Sequence, residues 1–120
     1  MNDRTIRFEE DLKTEQGINF LLMPMGSWEY EDRINEVIVP ESVFDNIYGL
    51  ARENKLRYLS KLDIYGGITY HNDKLEDIIA EFEILLTKTD DIKTKKYLEL
   101  TISMLKEGNT GNTFFYEIGL

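Results

Sequence analysis

The chain has 120 residues, 42% hydrophobic and 12% aromatic, with 23 Asp and Glu against 14 Lys and Arg, one histidine and no cysteine. That length and aromatic content fit one folded domain over residues 1–120 rather than a disordered segment. A net charge of −9 opposes binding to nucleic acid or to an anionic membrane, and one His with no Cys excludes the usual zinc sites.

From the N-terminus, Met1-Asn2-Asp3-Arg4 lacks the charged-then-apolar pattern of a signal peptide. Residues Thr5 to Glu10 alternate, with Ile6 and Phe8 on one face, which predicts a half-buried strand. Gln16-Gly17 punctuates, and Ile18 to Met23 reads as a more deeply buried strand, ended by Pro24 and Gly26. The apolar run Phe20 to Met25 is the longest in the chain, far short of the ~20 residues that span a bilayer. With no cysteine, the expectation is a soluble, cytoplasmic protein.

Ser27 to Asn35 is polar and acidic, with two aromatics. Glu36 to Val39 predicts a short strand, and Pro40 opens a helix as its first residue. Val43, Ile47, Leu50 and Ala51 carry that helix to about Asn54. In Leu59 to Tyr70, Gly66-Gly67 lies between two β-like runs and predicts a hairpin. The pattern conflicts with itself, however. A two-residue turn puts Tyr65, Ile68 and Tyr70 on one face and Leu62 and Ile64 on the other, so either both faces are covered or the loop has an odd length.

Asp73 and Glu76 have the spacing of a capping box, followed by Leu75, Ile78, Ile79, Phe82, Leu85 and Leu86 along one helix face. Thr87 to Asp91 connects to a third helix that buries Ile92, Leu98, Ile102 and Leu105 and stops at Gly108. Phe114, Tyr116 and Ile118 form one face of a last strand, placed beside an earlier one. The elements do not alternate regularly as strand and helix, so the fold class is α+β. The sheet is antiparallel or mixed, of five to six strands, with three helices mainly on one face.

Signals for catalysis are weak. His71 is expected to lie exposed just before a helix, and no serine has a nucleophile-elbow context. Gly66-Gly67 has no phosphate-loop frame, and the acids at Asp90-Asp91 or at Glu29, Glu31 and Asp32 lack EF-hand spacing. The reading is therefore a non-enzyme with no cofactor and no dedicated metal site.

Trp28-Glu29-Tyr30-Glu31-Asp32 is the segment that stands out, holding the only tryptophan. Trp and Tyr dominate binding hot spots, and carboxylates around them steer a basic partner. Residues 27–48 carry six acids against one arginine, a net of −5, whereas Arg52, Lys55, Arg57 and Lys61 reverse the sign over residues 52–61. Two arrangements fit: a strand that turns Trp28 and Tyr30 into the core, or an exposed patch in which Trp28, Glu29, Tyr30, Glu31, Asp32 and Glu36 bind a partner.

Size, acidity and the segment Ile68-Thr69-Tyr70-His71-Asn72-Asp73-Lys74-Leu75, a strand running into an amphipathic helix, resemble small immunity proteins of bacterial polymorphic and contact-dependent toxin systems. The resemblance implies a cytoplasmic α+β protein, monomer or weak homodimer, that neutralises a cognate basic toxin domain such as a nuclease by stoichiometric binding. Two alternatives remain open at this point: a small regulatory or structural homodimer, and a small hydrolase using carboxylates or His71.

Overall fold

A computed structural model describes residues 4–120; Met1 to Asp3, part of the N-terminal reading above, lie outside the described residues. The fold is α+β. Five strands form one mixed sheet: β1 (Thr5–Ile6), β2 (Gly17–Pro24), β3 (Asn35–Pro40), β4 (Ile68–Tyr70) and β5 (Thr113–Ile118). Their order is β1-β3-β2-β5-β4, with β1 parallel to β3 and every other pair antiparallel. The C-terminal strand lies inside the sheet, between β2 and β4, as its aromatic run predicts.

Period-two alternation assigns the two faces. Ile18, Phe20 and Leu22 of β2, Val37 and Val39 of β3 and Phe115 of β5 join the main core. They meet three helices there, α1 (Glu41–Glu53), α2 (Asn72–Leu86) and α3 (Ile92–Gly108). Phe20 is fully buried at the centre, with ring centroids 5.5 Å from Phe115, 6.0 Å from Phe82 and 6.2 Å from Phe44. Leu21, Met23 and Phe114 point to the opposite face, where Tyr116 and Ile118 pack beside them.

The three helices begin in three different ways. The Ser42 N–H and hydroxyl both donate to the Glu15 carboxylate, at 2.7 and 3.0 Å, so a residue outside α1 caps it. Those bonds hold the Glu15 carboxyl below its usual range. Pro40 is the last residue of β3 and the cap position of α1 rather than its first helical residue. Asp91 caps α3, accepting from the Thr94 N–H at 2.9 Å and its hydroxyl at 2.6 Å. Asp73 and Glu76 make no capping box: α2 begins at Asn72 with no side-chain cap, and Asp73 sits in its first turn.

Three further expectations are corrected. The first strand ends at Ile6, and the chain turns into a 3-10 helix at Glu9–Leu12. Ile92 is 84% exposed, because the buried stripe of α3 runs through Thr94, Tyr97, Leu98, Thr101, Ile102, Met104 and Leu105. No hairpin forms at Gly66-Gly67. Leu59–Lys61 is a 3-10 turn, and β4 pairs with distant β5 instead of with its neighbour in sequence. Both glycines have positive φ, 82° and 94°, which suits the turn chemistry but not a ladder.

No helix among the described residues is long and apolar enough to cross a membrane.

Candidate functional site

The segment between β2 and β3 folds over the helix-free face of the sheet. Short local bonds shape it: the Glu29 N–H and Asp32 carboxylate both meet the Ser27 hydroxyl, at 3.2 and 2.6 Å. Tyr30–Asp32 forms a 3-10 turn rather than a strand. At its ends the Met25 N–H donates to the Asn112 carbonyl at 2.9 Å and the Ile34 N–H to the Leu22 carbonyl at 2.8 Å. Arg4 adds a clasp from the N-terminal side, donating to the Glu31 and Arg33 carbonyls at 2.7 and 3.1 Å.

This path leaves Trp28 on the surface, 63% exposed, with one side of its indole against Phe114 and Tyr116 at centroid distances of 5.0 and 5.6 Å. Trp28 is therefore not turned into the core, and no strand runs through the segment. Beneath the indole Leu21, Met23 and Phe114 form a small buried cluster, with Tyr116 and Ile118 partly buried beside it. His71 borders it, exposed, its ring 6.1 Å from that of Phe114. No carboxylate side chain hydrogen-bonds or ion-pairs with His71 among the described residues, so it has no orienting partner for acid–base work.

Glu29, Glu31 and Asp32 rim this surface, all exposed. None of the ion pairs among the described residues involves them. The one cation within the segment is turned inward. Arg33 pairs with Glu36 at 3.0 Å, and its guanidinium lies 4.1 Å above the Tyr30 ring. The rim carboxylates thus make no direct ion pair among the described residues, with the Arg4 guanidinium held on the Glu31 and Arg33 carbonyls beside them.

Two of the six residues read as partner-binding have another place. Glu36 is fully buried. Its Oε1 accepts from Thr5 at 2.6 Å and from the Tyr30 hydroxyl, and its Oε2 accepts from Asn19 at 2.9 Å. It anchors the segment and is not part of the surface. Tyr30 is 42% exposed, but its hydroxyl points in to Glu36, and burial together with that carboxylate raises the phenol above its usual range. The ring edge is left for contact and the polar end is used internally. The sequence reading missed Arg33 as an internal partner and Phe114, Tyr116 and Ile118 as the bed for Trp28. The apolar phase of β5 signals that bed, but not which face of the sheet the helices cover.

Among the described residues, no three His, Asp or Glu side chains converge on a point that could hold a metal ion. Asp91, one of the acids weighed for calcium, is occupied as a helix cap. Compared with protein-family models, with curated proteins and with solved structures, the chain matches none.

Proposed function

We propose that this chain is an immunity-type protein, which neutralises a basic bacterial toxin domain in the cytoplasm by covering it stoichiometrically, without catalysis. The observation that carries this reading is the exposed Trp28, set on a sheet-face apolar strip and rimmed by Glu29, Glu31 and Asp32. A rigid aromatic on an apolar bed supplies affinity at low entropy cost, and the acidic rim supplies the on-rate toward a positive cleft. The same rim argues against a homodimer through this face, since two copies would bring like charges together.

The test uses a basic partner captured from the native host or encoded by the adjacent reading frame. Reversing Glu29, Glu31 and Asp32 together to Lys slows association by roughly 10–100-fold at low salt and flattens its salt dependence. The fold is kept, because these carboxylates hold no ion pair and the only side-chain bond lost among the described residues is that from the Ser27 hydroxyl to Asp32. Trp28→Ala weakens the complex by about 2 kcal/mol or more. It costs the free protein only about 1 kcal/mol, well short of a core tryptophan. Trp28, the sole tryptophan, also reports directly: its fluorescence shifts to the blue when the partner covers it. Binding that survives both variants places the interface elsewhere.

A further inference from the structure

On the far side of the main core, the chain leaving α1 forms a concavity of about 690 Å³, open to solvent. Arg52, Lys55, Arg57 and Lys61 line it with Ser60 and Tyr48, and no carboxylate does. In a protein of net charge −9, this is a local reversal of sign. None of the four cations is in an ion pair among the described residues. Cations near a helix C-terminus complement its dipole, which accounts for Arg52 and Lys55. It does not account for Arg57 and Lys61, which lie beyond the helix.

The site is held in shape from beneath. The buried carboxylate of Glu81, on α2, accepts the Tyr58 and Leu59 N–H groups at 3.1 and 2.9 Å. The Tyr70 hydroxyl donates to the Tyr58 carbonyl at 2.6 Å. The backbone between Arg57 and Lys61 is thereby fixed while both cations point to solvent. Lys55, whose charge the helix end explains, is unusual in its backbone. It sits at φ 54°, the left-handed position just past the helix, where the Leu56 N–H closes back on the Ala51 carbonyl at 3.0 Å. Glycine is the ordinary residue there. The chain instead holds a lysine in a conformation that disfavours it, at the mouth of a cationic hollow.

We propose that this concavity binds the oligophosphate group of a small ligand. Two guanidinium forks, two ammonium groups and a hydroxyl match several phosphate oxygens, and the hollow is wide and open, so phosphate groups reach it directly from solvent. The Tyr48 ring stacks on Phe44 at 6.3 Å and 4°, and the Arg52 guanidinium lies 5.6 Å from its centroid and donates to its hydroxyl at 3.3 Å, which fixes that fork at the hollow.

The full chain is titrated calorimetrically with sodium tripolyphosphate and, separately, with ATP. The expected result is binding with a Kd on the order of 10–100 μM at low salt, weakening as salt rises. ATP tighter than tripolyphosphate assigns the source as a nucleotide, and equal affinities assign it as the phosphate chain alone. Arg57→Glu with Lys61→Glu lowers affinity by more than tenfold. Lys55→Gly separates binding from folding: it raises the melting temperature by about 4 °C while weakening binding roughly fivefold. The proposal is overturned by silence toward both ligands up to about 10 mM, by binding that the double variant leaves intact, or by equal affinity for an oligoglutamate peptide.

Discussion

Replacing Glu36 with alanine lowers the stability of this protein by about 3–5 kcal/mol. The carboxylate is fully buried and joins four residues from three parts of the chain: Thr5 of β1, Asn19 of β2, and Tyr30 and Arg33 of the overlying segment. Its removal leaves Arg33 without its anion, with that side chain only 15% exposed, and leaves two hydroxyls and an amide without their acceptor. The loss is therefore larger than that of one hydrogen bond. Glu36→Gln keeps the volume but turns an amide donor toward Arg33 or Asn19, and should cost about 2–3 kcal/mol. Urea unfolding measures both. A change under about 1 kcal/mol for the alanine variant would mean that water replaces the network freely.

The same substitution carries a functional readout. Trp28 is positioned by the segment that Glu36 anchors through Tyr30 and Arg33. Releasing that anchor should erase the near-ultraviolet dichroism of the indole while the helices remain. Glu36 would then weaken partner binding without touching the partner. In the complex proposed above, Glu36 would act from underneath the interface, as a positioning residue.

Much of the scaffold is legible in local pattern. β2, β3 and β5 follow period-two alternation, and α1 and α2 follow helical spacing to within a residue or two of their observed ends. What fails depends on pairing across long sequence separations. Gly66-Gly67 resembles a hairpin only until β4 is seen to pair with β5, with Ile68 opposite Glu117. The conflict of faces around that turn was the physical warning. Leu62 and Ile64 belong to the main core, whereas Tyr65 is 78% exposed. The acids that matter most are equally hidden. With 23 present, nothing local distinguishes Glu36, Glu81 and Glu117 as the buried ones. Only for Glu117 does a trace exist: it keeps the phase of Phe115, so it must face the core whenever Phe115 does.

That placement makes stability depend on pH in an unusual sense for an acidic protein. Glu117 is fully buried, with one carboxylate oxygen accepting the Asp63 N–H at 3.1 Å and the other without a partner. Burial raises its pKa from the ordinary 4.5 to about 7; the Asp63 N–H opposes this and the Asp63 charge adds to it. Between those two values the native state keeps a proton that the unfolded chain has released. Stability contributed by Glu117 is therefore full below pH 4.5 and is lost as pH rises to about 7. At about 1.4 kcal/mol per pH unit the loss is at most about 3.5 kcal/mol, and nearer 2 once water reaches the ionised group. Asp11 and Glu15 work the other way. Tyr97 and Lys96 hold the first low, and Ser42 holds the second low, so their contribution disappears as pH falls below the ordinary carboxylate range. The urea midpoint should thus peak near pH 5 and decline toward pH 8. Glu117→Gln should match the wild type at the peak and exceed it by about 2 kcal/mol at pH 8, because the amide keeps the Asp63 bond and carries no charge. If the glutamine variant declines between pH 5 and 8 as steeply as the wild type, the titrating group is another, and the buried carboxylate is ionised at little cost.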